Sequence, residues 1–152
     1  MEYEVQNGNY TISTDKRRLD LDVVHGFLST KTYWSKGCSL EVVQRSRDNS
    51  ICFGIYEGRD QIGFARVITD EATMAYLSDV FVLEEHRGKG LSKWLVEVIL
   101  ADSRLQGLRR FVLVTQDAHS LYSRFGFECV ENGRLYMEIF QPDVYAEEPD
   151  FA

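Results

Sequence analysis

Apolar residues in the middle of the chain follow first the two-residue period of strands and then the longer period of a helix. The segments 50–57, 61–69 and 76–82 are rich in β-branched and aromatic residues, and short polar turns separate them. They predict three consecutive antiparallel strands. Beyond them, apolar positions recur at i, i+3, i+4, i+7 and i+8, which predicts an amphipathic helix over 90–106 that stops at Gly107.

The segments that precede this region predict further elements. Residues 3–13 have the composition of a strand, and the turn signal Asn7-Gly8-Asn9 interrupts it, so we expect a small hairpin. Helical spacing predicts helices over 19–29 and 40–47, and Ser39 is a suitable N-cap for the second.

After the long helix, residues 111–115 form a short, nearly continuous apolar run. Such a run is typical of a buried strand beside a crossover helix, so we expect it to pair in parallel with 76–82 through a right-handed connection. A short helix over 118–125 follows, and strands at 127–130 and 135–140 are expected to form a closing hairpin.

Together these elements predict an α/β (α+β) fold with a mixed, mostly antiparallel central sheet of six to seven strands, flanked by about four helices. We expect residues 1–140 to form a single domain, because no linker or repeat interrupts them. Residues 141–152 hold both prolines and four acids, and we expect an acidic C-terminal tail there.

Composition narrows the class of protein. The 152 residues include 17 basic and 24 acidic ones, a net charge of −7, which argues against a nucleic-acid binder. No stretch approaches the roughly 18 apolar residues of a membrane span, and the first 20 residues lack an apolar run, so a cytoplasmic protein is expected. The three cysteines have no zinc spacing, so no metal is expected, and Cys52 and Cys129 are expected to be small core residues.

The junction between strand 76–82 and helix 90–106 is the most informative feature for function. A strand that runs through a glycine-containing turn into a helix N-terminus presents unpaired N–H groups and a positive dipole end, which favour an anion such as phosphate. Arg87 and Lys89 add positive side chains to this turn. The turn fits neither GxxxxGK[ST] nor GxGxxG, which argues against the two common nucleotide-binding loops.

The turn Arg87-Gly88-Lys89-Gly90-Leu91-Ser92 resembles the acetyl-CoA motif Gln/Arg-x-x-Gly-x-Gly/Ala of the GNAT (Gcn5-related N-acetyltransferase) superfamily. Arg87 and Gly90 match the motif, whereas Ser92 replaces the usual Gly or Ala. The strand that ends in Phe81-Val82 is similar to the family strand that pairs with pantetheine.

A second family signature, a helical tyrosine followed by Gly-Phe, is similar to residues 121–127, which contain Tyr122, Gly126 and Phe127. Thr115 occupies the position at which family members often carry Asn. The order of elements agrees with the family over about residues 10–140, and the resemblance therefore implies a GNAT-like fold.

The resemblance implies direct transfer of an acetyl group from acetyl-CoA to a primary amine of a small molecule or protein. It implies that amides of residues 88–92 hold the pyrophosphate, that the Val82 N–H stabilises the oxyanion, and that Tyr122 is the general acid. The residues it implies for cofactor binding are Phe81, Val82, Arg87, Gly88, Lys89, Gly90, Leu91, Ser92, Thr115 and Tyr122.

The general base remains open at this point. Asp79 interrupts an apolar strand, where aspartate is disfavoured, and strand alternation places it on the face of Leu77 and Phe81. Asp79 is the first candidate for the base or for amine binding, Glu84 is the second, and a mechanism with no single base is the third.

Three further residues are candidates for the acceptor site. Tyr33 and Trp34 lie in a loop beside the expected acceptor pocket, where they either enclose the amine or pack ordinarily. Arg66 interrupts strand 61–69 and either pairs with Asp79 or meets an acidic group of the substrate.

Two other expectations accompany the enzymatic one. The main alternative is a non-catalytic acyl-CoA-binding or regulatory module with the same fold, which the presence of Tyr122 disfavours. Look-alike proteins often dimerise, so a homodimer is compatible with the resemblance, but the sequence specifies no interface.

Overall fold

The computed structural model describes residues 2–146, which form six strands and four helices. In chain order these are β1 (Glu4–Asn7), β2 (Tyr10–Ser13), α1 (Leu21–Lys31), α2 (Leu40–Asp48), β3 (Ile51–Glu57), β4 (Asp60–Thr69), β5 (Met74–Val82), α3 (Leu91–Leu100), β6 (Arg110–Leu113) and α4 (His119–Ser123). Short 3₁₀ turns lie at Lys16–Arg18, Glu84–His86, Ser103–Leu105 and Gly133–Leu135.

The strands form one mixed sheet in the order of the chain, β1 to β6. The first five strands are antiparallel neighbours, and β6 pairs in parallel with β5 after the crossover through α3. The predicted fold class is confirmed, including the first hairpin, the three central antiparallel strands and the parallel pair.

Local hydrogen bonds fix where the helices begin and end. Asp20 accepts from the N–H groups of Asp22 and Val23, so α1 begins at Leu21, two residues later than predicted. Ser39 accepts from the N–H of Val42 and caps α2, as predicted.

The helix α3 ends at Leu100, well before the predicted end at residue 106. The buried carboxylate of Asp102 accepts from the Arg104 N–H and from the Tyr3 hydroxyl, at 2.9 and 2.7 Å. These side-chain bonds favour the 3₁₀ turn Ser103–Leu105 over another turn of α-helix.

The two faces of the sheet carry separate apolar cores. The first core lies under α3 and includes Phe53, Ile55, Leu95, Val96 and Ile99. The second core lies under α1 and α2 and includes Val24, Leu28, Val43, Phe64 and Phe81. Cys52 belongs to the second core, as expected.

The predicted closing hairpin is wrong. Within the described residues, 127–130 and 135–140 form no strands. Asn132 accepts from the Arg134 N–H, and the Tyr136 N–H donates to the Gly133 carbonyl, so a 3₁₀ turn replaces the hairpin loop. Cys129 is therefore exposed rather than part of the core, and its predicted burial is also wrong.

The described part of the predicted tail contacts the domain. Tyr145 packs against the second core, and its backbone carbonyl lies close to Gly37. Residues 147–152 lie outside the described part of the chain. None of the helices between residues 2 and 146 is long and apolar enough to cross a membrane.

Candidate active site

A β-bulge lies in the middle of β5. Phe64 pairs with Phe81 and Arg66 pairs with Ser78, so three steps along β5 match two along β4. Asp79 lies in this bulge with φ of 57°. The bulge reverses the alternation of side chains, because Leu77 packs in the first core and Phe81 in the second. The prediction that Leu77, Asp79 and Phe81 share one face is therefore wrong.

The Asp79 carboxylate is buried, and both of its oxygens are hydrogen-bonded. Arg66 Nε donates to Oδ2 at 2.5 Å, and Trp34 Nε1 donates to Oδ1 at 2.9 Å. A second guanidinium nitrogen of Arg66 donates to the Ser50 hydroxyl at 3.2 Å. Of the two alternatives predicted for Arg66, the structure contains the pair with Asp79. The carboxylate thus joins β4, β5 and the loop after α1.

That loop spans the region where β5 and β6 separate. The Gln116 N–H, after β6, donates to the Tyr33 hydroxyl at 3.1 Å. The Tyr33 and Trp34 rings contact edge to face at 4.9 Å. Tyr33 is therefore fixed on the β6 side and Trp34 on the β5 side, and both rings remain half exposed.

The parallel pairing of β5 with β6 ends at Leu77 and Leu113, although β5 continues to Val82. The Leu83 N–H donates to the Ile62 carbonyl at 2.8 Å, which identifies the opposed residues Gly63 and Val82 as a non-hydrogen-bonded pair. The Val82 N–H therefore points away from β4, toward the side on which β6 has already ended.

The glycine turn lies directly beyond this free edge of β5. Gly88 and Gly90 have φ of 79° and 75°, a conformation that favours glycine, and Gly90 precedes α3 without a side-chain cap. A cavity of about 150 Å³ opens here, and its lining consists of Val82, His86, Arg87, Gly88, Gly90, Leu91, Ser92 and Lys93. A Cβ atom at Gly88 or Gly90 would meet no atom within 4 Å, so the turn is open to a ligand.

The charged side chains of this turn have partners within the protein. Arg87 Nε donates to the Val82 carbonyl at 3.1 Å, which ties the turn to the end of β5. Lys89 Nζ donates to the Tyr10 hydroxyl at 3.2 Å, and His86 Nδ1 lies 3.1 Å from the same hydroxyl. The sequence gives no sign that Tyr10 and His86 meet at this turn, because Tyr10 lies on β2, far from the turn along the chain.

Tyr122 lies on α4, buried against the first core. Burial, reinforced by the nearby Asp117 carboxylate and Tyr33 hydroxyl, raises its pKa to about 12. Its ring contacts Phe127 edge to face at 5.9 Å. Thr115 Oγ1 accepts from the Ala118 N–H at 3.0 Å, so Thr115 stabilises the start of α4.

Glu84 lies apart from these groups. It is exposed at the start of the 3₁₀ turn Glu84–His86 and has no side-chain hydrogen bond within residues 2–146. No group of three or more His, Cys, Asp or Glu side chains in that part of the chain is arranged to hold a metal ion.

A sheet whose parallel pair separates beside a glycine turn and a helix N-terminus defines the acetyltransferase class with the GNAT fold. The family model for the acetyltransferase (GNAT) domain matches residues 48–129. A relative from Gibberella zeae, provisionally named an acetyltransferase, is 32% identical over 77% of this chain and 77% of its own length. The chain therefore belongs to the GNAT acetyltransferase family.

Solved structures agree with this assignment. A crystal structure of a GNAT-family protein from Xanthomonas campestris pv. campestris is 48% identical, with a TM-score of 0.89 over 91% of this chain and 97% of that one. Glucosamine-6-phosphate N-acetyltransferase from Arabidopsis thaliana shares only 16% identity, with a TM-score of 0.61 over 87% of this chain and 97% of that one. The second likeness concerns the fold alone.

Proposed function

We propose that the protein transfers an acetyl group from acetyl-CoA directly to a primary amine. The observation that carries this proposal is the early end of β5–β6 pairing, which leaves the Val82 N–H facing a gap next to the open glycine turn. Acetyl-CoA supplies an activated thioester carbonyl, and the residues around the gap supply binding, charge stabilisation and a proton.

The glycine turn is the proposed site for the CoA pyrophosphate. The amides of the first turn of α3 lack intrahelical acceptors, and the helix dipole adds positive charge at that end. The positive φ angles of Gly88 and Gly90 shape the turn, and the open space around them fits an anionic group. Arg87 keeps the turn attached to β5 through the Val82 carbonyl.

The free edge of β5 is the proposed site for the pantetheine arm and the reacting carbonyl. Beyond Leu77, β5 has no neighbour on the β6 side within the described chain, so its backbone can pair with an extended ligand. The Val82 N–H then donates to the carbonyl oxygen, which becomes negative as the amine nitrogen attacks the carbonyl carbon.

Tyr122 is the proposed proton donor. As the C–S bond breaks, the bonding pair stays on sulfur, and the Tyr122 hydroxyl transfers its proton to that thiolate. A pKa raised to about 12 keeps the hydroxyl protonated throughout the neutral range. The proton lost by the attacking amine leaves to water in this mechanism.

Asp79 is better suited to positioning than to proton abstraction. Its two oxygens already accept from Arg66 and Trp34, so abstraction would require breaking one of these bonds. We infer that Asp79 holds Trp34, and with it the half-exposed face of Tyr33, beside the acceptor. The mechanism therefore uses no single carboxylate base, and Glu84 has no assigned step.

Calorimetry with acetyl-CoA, followed by a thiol-release assay over a panel of amines and peptides, tests the proposal. We expect a dissociation constant for acetyl-CoA below about 1 mM and turnover with at least one amine. Tyr122→Phe should lower kcat by about 100-fold or more and leave the acetyl-CoA affinity within about threefold. Tyr3→Phe, which alters a tyrosine bonded to the distant Asp102, is the matched control and should keep wild-type kcat.

Each alternative has its own outcome in these assays. Binding of acetyl-CoA without thiol release from any acceptor would favour the non-catalytic acyl-CoA-binding module. No binding at millimolar acetyl-CoA would contradict the central proposal. An unchanged kcat in Tyr122→Phe would show that another group protonates the thiolate.

A further inference from the structure

Part of the sheet face that carries the second core extends beyond that core. Along β4 this face continues from Phe64, a member of the second core, to Arg66 and then to Ile68, which is 45% exposed. Tyr76 on β5 lies opposite Ile68, and Val112 on β6 lies opposite Tyr76. Both are half-buried. We call Ile68, Tyr76 and Val112 the open row.

The open row borders the gap between β5 and β6. It lies one residue before the last parallel pair, Leu77 with Leu113. The loop that carries Tyr33 and Trp34 crosses this gap from the β6 side to the β5 side, and both rings are half exposed. A molecule that lies on the open row can therefore extend one end into the gap, beside the proposed position of the thioester.

The charged pair next to the open row is satisfied within the protein. Arg66 donates to the Asp79 carboxylate at 2.5 Å and to the Ser50 hydroxyl at 3.2 Å. The two opposite charges neutralise each other, so neither is free to pair with a charged group of a substrate. The row itself is uncharged and offers apolar and aromatic contact instead of an ionic partner.

Two exposed carboxylates lie around the row and the gap. Burial raises the pKa of Tyr76, and the carboxylates of Asp79 and Glu138 add to this rise, so Glu138 lies near the row. Asp117 has the same effect on Tyr122 at the gap. Asp117 and Glu138, which we call the rim acids, attract a cationic amine as it approaches and repel an anionic group.

We propose that the acceptor is an arylalkylamine, a primary amine on a short alkyl chain that ends in an aromatic ring. The ring lies on the open row against the rings of Tyr33 and Trp34, and the amine enters the gap. The proposal rests on the proposed acetyl transfer and names the substrate class for it. A carboxylate or phosphate on the substrate would lose hydration on the apolar row without gaining a cation, and the rim acids would repel it.

The reaction follows the mechanism proposed above. The amine nitrogen forms the C–N bond as the C–S bond breaks, and the products are an N-acetyl arylalkylamide and CoA. Tyr122 protonates the thiolate and regains a proton from water, which also takes the proton that the nitrogen loses.

An apolar surface also favours the reactive form of the amine. Only the unprotonated amine attacks the carbonyl, and the oxygens of Asp79 already accept from Arg66 and Trp34. Desolvation beside the aromatic rings lowers the pKa of the ammonium group, which increases the unprotonated fraction at neutral pH. An aromatic substituent thus assists a mechanism that has no carboxylate base.

Matched acceptors in the thiol-release assay test the substrate class. β-Phenylethylamine differs from free phenylalanine by one carboxylate and from ethylamine by the aromatic ring. The kcat/KM for β-phenylethylamine should exceed that of each by about 100-fold or more. A lysine peptide and glucosamine represent polar acceptors. If any of these four compounds matched or exceeded the kcat/KM of β-phenylethylamine, the assigned class would be wrong.

Ile68→Arg tests whether the ring lies on the open row. It places a cation beside the proposed ring position, so kcat/KM for free phenylalanine should rise by about tenfold or more relative to β-phenylethylamine. Leu40→Arg makes the same change on α2, at a side chain that is 37% exposed, and should keep the wild-type preference. Both positions are exposed, and far-UV spectra check that both variants fold. An unchanged preference in Ile68→Arg would overturn the placement.

Arg110 provides the opposing test. It precedes Val112 by two residues on β6, and its guanidinium lies 5.8 Å from the centre of the Tyr136 ring. A wild-type preference for free phenylalanine that disappears in Arg110→Ala would show that Arg110 binds a substrate carboxylate, which would overturn the proposal. We expect Arg110→Ala to keep the preference for β-phenylethylamine.

The same assays separate this inference from the proposed function. Acetylation of the lysine peptide or of glucosamine without acetylation of β-phenylethylamine would leave the acetyl transfer standing and overturn only the substrate class. The absence of thiol release with every acceptor would overturn the proposed function, and the substrate class would fall with it.

Discussion

Arg66 Nε donates a 2.5 Å hydrogen bond to Asp79 Oδ2 at the bulge where β4 and β5 change register. The two side chains are 16% and 6% exposed, and the same carboxylate also accepts from Trp34. A buried carboxylate of this kind is stable only while its partners remain. The pair therefore stabilises both the bulge and the loop that carries Tyr33 and Trp34.

Removing one member of this pair should destabilise the folded protein. Arg66→Ala should lower the free energy of unfolding by about 3–5 kcal/mol, because it leaves the Asp79 carboxylate buried without its cation. The measurement is urea denaturation monitored by intrinsic fluorescence. Arg45→Ala is the matched control: it breaks an exposed pair with Glu41 and should cost less than about 0.5 kcal/mol.

The double variant checks whether the two residues act together. Arg66→Ala combined with Asp79→Asn should cost less than the sum of the single changes, by about 1–3 kcal/mol. Additive losses would mean that the two side chains stabilise the fold independently of each other.

The bulge also shows what sequence patterns could predict and what they could not. Arg66 and Asp79 each interrupt an apolar strand, and their charges make a pair between them one of two alternatives for Arg66. The shift of register depends on how β4 and β5 pair, and regular alternation cannot reveal it. The sequence therefore offered this pair as one of two roles for Arg66, but the placement of Asp79 on the face of Leu77 and Phe81 is wrong.

The glycine turn and residues 135–140 likewise separate what local patterns predict from what they do not. The turn and the start of α3 follow from local signals, the positions of glycine and the helical period, whereas the predicted end of α3 at residue 106 is wrong. The contact of Lys89 with Tyr10 depends on a strand 79 residues away, which no local signal reports. Residues 135–140 are predicted as the second strand of the closing hairpin, and this prediction is wrong because a 3₁₀ turn occupies the hairpin loop.

Gly90→Ala should weaken both the fold and the proposed anion site. A residue that has a Cβ atom is strained at a φ of 75°, which lowers the free energy of unfolding by about 1–2 kcal/mol, although no neighbouring atom obstructs the Cβ. We expect the free energy of unfolding to fall by that amount and acetyl-CoA affinity to fall by about tenfold or more, as measured by urea denaturation and calorimetry.

Gly26→Ala is the matched control for that change. Gly26 lies in the exposed part of α1 with open space around it, so alanine there should stabilise the helix by about 0.5–1 kcal/mol. Wild-type acetyl-CoA affinity in Gly90→Ala would contradict the role proposed for the turn.

Stability should fall at high pH through Tyr122. Burial raises its pKa to about 12, from about 10 in the unfolded chain, so between these values the folded state holds a proton that the unfolded state has lost. The contribution of Tyr122 to the free energy of unfolding is fully present below pH 10. It declines by about 1.4 kcal/mol per pH unit as the pH rises toward 12.

Tyr122→Phe removes this contribution, so its unfolding free energy should fall less steeply than that of the wild type between pH 10 and 11. Burial also raises the pKa values of Tyr3 and Tyr56, and their contributions persist in both proteins. Urea denaturation at pH 7–9 gives the reference for each protein. Equal slopes above pH 10 would show that Tyr122 does not titrate differently in the folded state.

Tyr56→Phe should stabilise the protein. Tyr56 is 1% exposed, and its hydroxyl is the one buried side-chain polar atom in residues 2–146 without a hydrogen-bond partner. Removing an unsatisfied buried hydroxyl should gain about 1 kcal/mol, since the folded state no longer bears its desolvation cost. The Arg18 guanidinium, 4.2 Å from the ring centre, keeps its aromatic partner in the phenylalanine variant.

Tyr3→Phe is the opposite case and serves as the comparison. Its hydroxyl donates to the buried Asp102 carboxylate at 2.7 Å, so its removal should cost about 1.5–3 kcal/mol. The two variants delete the same atom, and thermal and urea unfolding should give changes of opposite sign. If Tyr56→Phe lost as much stability as Tyr3→Phe, the Tyr56 hydroxyl would have to donate a hydrogen bond in solution, because packing of the ring is common to both variants.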